Sequence, residues 1–205
     1  MSPSFEEDRR LLSGCLAGDR EASEALVRQF SDIVYRSVQY ALMAKQVSFS
    51  RHDLEDLQNT VFLRLFEGGC KKLRQYEGRN GLSLSSWIRM IAVRTVLDHL
   101  RKKGIDTIVW QKERVPLEKL PELKADGIEI GADIEREEQE HLLQVGMQRL
   151  SPRDRLFIRL HFDQGLSISE VAEAMQLSIE NAYTIKHRAV QRLKSYVALA
   201  ANTGS

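Results

Sequence analysis

The chain has 205 residues, of which 42% are hydrophobic and 29% are charged, and its formal net charge is +1. This length and composition allow one large or two small domains with real cores, and they exclude a disordered tail. No apolar run is long enough to span a bilayer, and the amino-terminal stretch MSPSFEEDRRLLSG lacks the apolar core of a signal peptide. We therefore expect a cytoplasmic protein that does not contact membranes.

Catalytic and metal-binding patterns are missing from the sequence. Cys15 and Cys70 stand far apart, without a CxxC pair or a histidine at metal-ligand spacing, which favours two reduced structural thiols over a zinc site or a disulfide. The histidines fall on different predicted helices, and neither a phosphate-binding glycine loop nor a nucleophile elbow occurs. The sequence therefore predicts no catalytic residues, no metal and no cofactor, and a protein that is not an enzyme.

The small net charge conceals three blocks of alternating sign. Residues 1–104 carry 17 Lys and Arg against 13 Asp and Glu, residues 105–140 carry 5 against 11, and residues 141–205 carry 8 against 5. Two basic blocks joined by an acidic segment indicate two polyanion-binding modules and a linker that does not bind polyanions.

Helical periodicity dominates the first basic block. Apolar residues recur at spacings of three and four through DRRLLSGCLAGDREASEALVRQFSDIVYRSVQYALMA, with one break around Gly18-Asp19. A second helix is predicted from the N-cap Ser50 to a stop at Gly68-Gly69, and a third across SLSSWIRMIAVRTVLDHLRKKG. Because no alternating strand pattern appears anywhere, the predicted fold class is all-α.

The periodicity fails from Gly104 to about Asp133, where prolines, glycines and scattered acids predict an extended linker. Helical order returns at IEREEQEHLLQVGMQRL. The following segment SPRDRLFIRLHFDQG has Ser151 as N-cap, Pro152 at the first helical position and Gly165 as the stop. The chain therefore divides into two helical parts on either side of the linker.

Near the carboxyl end, LSISEVAEAMQLSIENAYTIKHRAVQRLK has the spacing of a helix-turn-helix. Ser167 and Glu170 form a capping box, Gln176-Leu177 turns the chain, and Ser178 caps a second helix predicted to reach about Lys194. The outer face of that helix carries side chains that can contact base edges and phosphates: Asn181, Tyr183, Thr184, His187, Arg188 and Gln191. An ordinary helical hairpin with a solvated polar face is the alternative interpretation.

Four segments in order resemble the bacterial sigma factors of the extracytoplasmic-function type. They are LAGDREASEALVRQFSDIVYRSV, DLEDLQNTVFLRLFE, SSWIRMIAVRTVLDHLRKK and the stretch from LSPRDRLFIRLHF through the helix-turn-helix. The resemblance implies a region 2-like domain over residues 1–104 for core polymerase and the minus-ten element, a linker over 105–134, and a region 4-like domain over 135–205 for the minus-thirty-five element. It also implies a transcription initiation factor, monomeric when free, that binds core RNA polymerase and directs it to promoter DNA.

The resemblance implies that the DLEDLQNTVF helix docks on the clamp helices of the polymerase beta-prime subunit, with the beta flap as a second contact. Asp56 and Asn59 fall where the family has an acidic residue and usually a glutamine. Asp53 and Glu55 also lie off the apolar stripe, so the four side chains are candidate polymerase contacts. A merely solvated acidic face is the alternative.

The segment KKLRQYEGRNGLSLSSWIRM resembles the part of the family that opens the promoter by flipping a base of the minus-ten element. Asn80 can pair with a base edge, while Trp87 either packs in the core or stacks on a base. The candidate phosphate contacts are Lys71, Lys72, Arg74, Arg79 and Arg94.

Three departures from the family pattern limit what can be carried over. Val93-Arg94 stands where Arg-Asn is usual, and NAYTIK, residues 181–186, replaces the common TVKSRL of the recognition helix. Gln176 replaces a turn glycine, at a cost of about 1 kcal/mol if the backbone is left-handed there. The promoter sequence of typical members therefore does not transfer to this chain.

Further expectations and alternatives accompany this assignment. The resemblance implies an anti-sigma factor as a possible partner. The linker acids either mimic nucleic-acid phosphates inside the polymerase or only keep the linker soluble: Glu113, Glu118, Glu122, Asp126 and Glu129. The alternative functions are a stand-alone helix-turn-helix regulator and a sigma-like protein that titrates polymerase or a regulator.

Overall fold

The computed structural model describes residues 3–78, 82–104 and 136–203, and every regular element in these ranges is a helix, which confirms the all-α prediction. The first part contains α1 (Pro3–Leu16), α2 (Arg20–Ala44), α3 (Arg51–Arg74) and α4 (Leu84–Lys102). The second part contains α5 (Arg136–Arg149), α6 (Pro152–Ile158) with a π-helical turn over Arg159–Asp163, α7 (Ile168–Met175) and α8 (Ile179–Thr203).

Side-chain caps begin most of these helices where the sequence predicts them. Asp19 accepts a hydrogen bond from the Glu21 backbone N–H at 2.9 Å and starts α2 after the break between α1 and α2. Complete capping boxes start α3, at Ser50 with Asp53, and α7, at Ser167 with Glu170. Each box pairs two backbone donors that the helix itself leaves without partners.

The predicted end of α3 at Gly68-Gly69 is only partly correct. The backbone leaves helical geometry at Glu67, and Gly68, Gly69 and Cys70 all adopt left-handed φ values of 60°, 68° and 64°. One further helical turn then runs to Arg74. Glycines permit such a reversal, but the cysteine after them also has to adopt the left-handed conformation.

The last helix is longer than predicted. It continues from Ile179 to Thr203 and does not end near Lys194, because its second half packs against α5. Gly146 of α5 makes this close approach possible: a Cβ there would come within 3.0 Å of both Leu193 and Val197. The second half of α8 is thus a packing surface and not a tail.

One apolar core extends through both parts of the chain. Its buried members include Leu26 and Ile88 in the first part and Phe157 and Val171 in the second. A smaller cluster around Met147 fills the space between α5, α6 and α8. Because α4 packs on α7 and α2 packs on α6, the helix-turn-helix lies directly against the first part.

Buried polar contacts reinforce this packing. The Arg155 guanidinium is buried and donates to the carbonyl oxygens of Met147, Gln148 and Leu150 at the end of α5, and to that of Ala44 in α2 at 3.3 Å. This one side chain therefore caps a helix of its own part while holding the end of a helix in the other part.

Candidate nucleic-acid and partner interfaces

A basic cavity of about 560 Å³ lies between α3 and α4, and it closes against the second part of the chain. Four of the predicted minus-ten contacts line it: Lys71, Lys72, Trp87 and Arg94. Arg64 lines it too, and its guanidinium contacts Asp98 at 3.0 Å and Thr95 at 3.3 Å. Glu67 and Asp98 are the acidic side chains of the lining. The structure thus brings together side chains that are widely separated in the sequence, in a concave site where four cations outnumber two acids beside an aromatic wall.

Trp87 is both a packing residue and a wall of this cavity. Its indole N–H donates to the Lys72 carbonyl oxygen at 3.2 Å, and its ring centroid lies 6.4 Å from that of Tyr76. The Tyr76 hydroxyl in turn donates to the Leu82 carbonyl oxygen at 2.8 Å. These contacts hold the indole in one orientation, with part of its surface still facing the cavity.

Arg94 is engaged by the other part of the chain. Its Nε and Nη2 donate to the Glu173 carbonyl oxygen at 3.0 and 2.7 Å, and Nη2 also lies 3.2 Å from a Glu173 carboxylate oxygen. The end of α7 therefore offers Arg94 three contacts with oxygen, which resemble those that a phosphate would offer. Gln176, which lines the same cavity, accepts a 3.4 Å hydrogen bond from Arg101.

The other predicted minus-ten residues lie away from the cavity wall or outside the described ranges. Arg74 is exposed and donates from Nε to the Gly69 carbonyl oxygen at 2.9 Å, which braces the left-handed segment. Arg79 and Asn80 lie outside the described residues. Sequence reasoning missed Arg64, although its position off the apolar stripe of α3 was a signal that could have identified it.

The recognition helix presents the predicted polar face. Asn181, Tyr183 and His187 are exposed, Tyr183 at 58%, and Thr184 and Gln191 are half-buried. On the opposite face Ala182, Ile185 and Ala189 are fully buried. The helix can therefore present Asn181, Tyr183 and His187 outward while its apolar face stays on the core.

Arg188 differs from the rest of this face. Its guanidinium is only 12% exposed and forms an ion pair with the fully buried carboxylate of Asp154. Arg192 supplies a second cation at 3.1 Å from the same carboxylate. The structure therefore gives Arg188 a packing role that the sequence did not predict.

The predicted polymerase-binding face of α3 divides in two. Asp53 closes the capping box, and hydrogen bonds from the Ser50 side chain and backbone hold its pKa below the ordinary value. Glu55 pairs with Arg51 at 2.8 Å. Asp56 and Asn59 are exposed. They share a face of α3 with a third exposed residue, which sequence reasoning missed.

That missed residue is Leu63, one helical turn after Asn59, whose side chain is 70% exposed. Asp56, Asn59 and Leu63 form one stripe along α3, because residues three and four apart share a helix face. An exposed leucine bordered by polar groups is a candidate protein contact. The signal in the sequence was an apolar residue that lies off the stripe of Leu54, Leu57, Val61 and Leu65.

A second concave surface lies on the carboxyl-terminal part. It is an apolar groove of about 440 Å³ between α5, α6 and α8, lined by Leu143, Met147, Phe162, Val190 and Leu193 among others. Phe162 is 56% exposed and Leu143 48% exposed. A groove of this kind suits an apolar segment of another protein.

Three further points concern membrane spans, metal sites and the linker. Within the described ranges no helix is long and apolar enough to cross a membrane. The same ranges contain no cluster of His, Cys, Asp or Glu side chains suited to a metal ion. The linker acids from Glu113 to Glu129 lie outside the described residues.

Comparison with known proteins agrees with this geometry. The chain matches the family models Sigma-70 region 2 over residues 26–105 and Sigma-70, region 4 over residues 146–195, which together span well over half of it. The first match contains the polar stripe of α3 and every cavity-lining residue except Gln176, and the second contains Gln176 and the helix-turn-helix.

Two curated relatives cover most of the chain. It is 28% identical over 188 residues to the ECF RNA polymerase sigma factor SigE of Mycolicibacterium smegmatis, which is 88% of this chain and 65% of that protein. It is 28% identical over 185 residues to the ECF RNA polymerase sigma factor BldN of Streptomyces coelicolor, which is 89% of this chain and 63% of that protein. The chain thus spans somewhat less than two thirds of each of these relatives.

Among solved structures, CnrH in complex with the cytosolic domain of CnrY shares the fold, with a TM-score of 0.53, 14% identity, and coverage of 94% of this chain and 97% of that chain. Both relatives to which the chain is 28% identical are ECF RNA polymerase sigma factors. Region 2 and region 4 matches in this order show that the chain belongs to the sigma-70 family.

Proposed function

We propose that this protein is a transcription initiation factor that binds core RNA polymerase, directs it to specific promoters and helps to open the promoter DNA. The observation that carries the proposal is the pairing, in one chain, of a basic cavity with an aromatic wall and a helix-turn-helix with an exposed polar recognition face. The protein adds no reaction of its own and acts in the cytoplasm.

Polymerase binding is assigned to the stripe of Asp56, Asn59 and Leu63. Leu63 supplies an apolar anchor that loses water on docking, and Asp56 and Asn59 supply the polar rim that fixes register. Asp53 and Glu55 support this face through contacts within the first turns of α3. Asp53 closes the capping box, and Glu55 pairs with Arg51. The partner surface is proposed to be the clamp helices of the beta-prime subunit.

The basic cavity is proposed to take the displaced strand of the minus-ten element. Lys71 and Lys72 contact phosphates, Arg64 adds positive charge, and Trp87 offers the wall against which an unstacked base can lie. Arg94 can join them only after it leaves Glu173. Arg79 and Asn80 retain their proposed roles in the preceding loop.

The recognition helix is proposed to read the minus-thirty-five element in the major groove. Asn181 and Tyr183 lie in its first turns, where helix-turn-helix proteins reach base edges, and His187 lies one turn further on. Thr184, Arg188 and Gln191 complete the proposed contact set, with Arg188 also holding Asp154.

Two further protein contacts are proposed. The apolar groove around Phe162 is proposed to hold an apolar segment of the polymerase beta flap. An anti-sigma factor is a second proposed partner, because the family resemblance implies one and because CnrH was solved with the cytosolic domain of CnrY.

Run-off transcription with purified core polymerase tests the proposal. The template carries the DNA upstream of this protein's own gene, and transcripts should appear only when core enzyme and this protein are both present. Leu63→Ala should reduce the transcript and the affinity for core enzyme together, while the exposed control Ser195→Ala changes neither. Specific duplex binding without core enzyme, with no transcript from any template, would instead identify a stand-alone regulator.

A further inference from the structure

The two cysteines of the chain lie side by side although 55 positions separate them. The Cys70 thiol, at the break in α3, donates to the carbonyl oxygen of Cys15, at the end of α1, at 3.4 Å. Both are free thiols, and their exposed fractions are 1% for Cys15 and 9% for Cys70. The sequence favoured two unrelated structural thiols, whereas the fold makes them neighbours.

Cys70 also occupies the most strained backbone of α3. It is the third of three consecutive residues with left-handed φ, after Gly68 and Gly69, and side chains with a Cβ disfavour this conformation. Glu67, Gly68 and Gly69 are all exposed. Opening this short segment would expose Cys70 to solvent while the flanking helices stay folded.

We propose that Cys15 and Cys70 form a reversible disulfide site that is closed by a hydroperoxide. The Cys70 thiolate attacks the O–O bond of hydrogen peroxide and becomes a sulfenic acid, with hydroxide as the leaving group. The Cys15 thiolate then attacks the Cys70 sulfur, so that an S–S bond forms, the S–O bond breaks and a second hydroxide leaves. Overall, two thiols lose two electrons and two protons, and the peroxide is reduced to two water molecules.

The order of the two cysteines follows from their surroundings. Cys70 is the more exposed of the two and lies on the segment that opens. Burial raises the pKa of the Cys15 thiol, the Cys70 thiol raises it further, and a hydrogen bond with Ser23 opposes the shift. Cys15 is therefore the resolving cysteine, which reacts after the sulfenic acid has formed on Cys70.

The disulfide would connect the end of α1 to the segment that leads into the basic cavity. Gly68 and the next two residues after Cys70, Lys71 and Lys72, all line that cavity. Oxidation would thus fix one edge of the cavity by a covalent bond. The inference does not depend on the proposed function, because its test needs neither polymerase nor DNA.

The test uses the full chain treated with hydrogen peroxide, alkylated with iodoacetamide, digested and analysed by mass spectrometry. We expect a cross-linked pair of peptides containing Cys15 and Cys70, which disappears after treatment with dithiothreitol. Circular dichroism should show unchanged helix content and a thermal midpoint raised by about 10 °C, because the disulfide restricts a long loop in the unfolded chain. Cys15→Ser and Cys70→Ser should each abolish the cross-link.

A urea-unfolded sample of the same chain is the matched control. If both thiols of the native chain stay reduced at a peroxide dose that forms the disulfide in urea, the proposal is wrong. It is equally wrong if Cys70 ends as a sulfinic acid without a cross-link, or if the cross-link appears only as helix content is lost. All these results come from the unmodified sequence, so they hold even if a serine variant fails to fold.

Discussion

Asp53 and Asp56 lie three residues apart on α3, yet their carboxylates have different environments. Asp53 accepts hydrogen bonds from the Ser50 backbone and hydroxyl at 2.7 and 2.6 Å, whereas Asp56 is exposed on the stripe with Leu63. One aspartate therefore stabilises the helix start, and the other is left exposed on the face that is proposed to bind polymerase. Alanine substitutions at the two positions can therefore separate an effect on helix stability from an effect on polymerase binding.

Asp53→Ala should lower the thermal midpoint, because it removes half of the capping box, while Asp56→Ala should leave the midpoint unchanged and weaken binding to core polymerase. Because the folded pKa of Asp53 is depressed by Ser50, its contribution to stability is present above the unfolded pKa of about 3.9. That contribution is lost as the pH falls through the folded pKa. Thermal melts from pH 7 to pH 3 should show the difference between the chain and Asp53→Ala shrinking, and a constant difference would contradict the assignment.

Arg188 and Arg192 provide a second contrast at this scale, since both contact the buried Asp154 carboxylate. Arg188→Ala should lower the free energy of unfolding by about 3 kcal/mol, because it leaves a buried charge with one weaker partner. Arg192 is 41% exposed, so Arg192→Ala should cost no more than about 1 kcal/mol. Urea unfolding of the full chain measures both values, and equal small losses would argue against the packing role.

The same Arg188→Ala variant tests the predicted phosphate contact. If the guanidinium reaches DNA, the slope of binding against salt concentration should fall by about 0.9. An unchanged slope with an altered base preference would instead identify Arg188 as a base contact. If a folded sample changes in neither respect, Arg188 only positions α8.

At the scale of elements, helix starts were far easier to predict than helix ends. Capping uses short local patterns, so Ser50, Ser151 and Ser167 were recognisable from the sequence and are caps in the structure. The end of α8 depends on packing against α5 through Gly146, which is a contact distant in sequence. The extra turn after Gly69 likewise depends on Cys70 reaching Cys15.

The turn between α7 and α8 allows a test of backbone strain. Gln176 has φ 56° and ψ 48°, so the backbone is left-handed here, which is the condition under which replacing the turn glycine was expected to cost stability. Gln176→Gly should raise the free energy of unfolding by about 1 kcal/mol.

The reverse change, Gly165→Gln, is the matched control, since Gly165 has φ 69° with open space around it. It should lower stability by a similar amount in urea titrations. If Gln176→Gly lowered stability instead, the hydrogen bond from Arg101 would outweigh the strain.

At the scale of the whole molecule, the two proposed DNA-binding parts pack against each other. A single continuous core and the contacts of Arg94 and Arg155 join them. Periodicity predicted which face of each helix is apolar, but it contains no information on which other helix covers that face. The sequence therefore predicted two separate modules, and their docking appears only in three dimensions.

Docking should restrict access of single-stranded DNA to Arg94 in the free protein. Glu173→Lys places a cation opposite Arg94 and should loosen the contact between α4 and α7, so that the affinity for a short fluorescein-labelled single strand increases. Fluorescence anisotropy measures that affinity.

Glu24→Lys is the control, because it makes the same charge change on an exposed residue of α2. An equal gain in both variants would mean that added positive charge alone explains the effect. Hydrogen exchange should also rise along α4 and α7 in Glu173→Lys only, since its effect is on packing.

The contact between Arg94 and the end of α7 has a consequence for chimeras. The Arg94 guanidinium donates three hydrogen bonds to Glu173. Two of them reach the backbone oxygen, whose position depends on the whole helix-turn-helix. A hybrid that joins residues 1–104 to the carboxyl-terminal part of a relative would keep each part's own residues but place a differently shaped helix end against Arg94. Exchanging promoter preference between relatives would therefore require the docking surface to be transplanted together with the recognition helix.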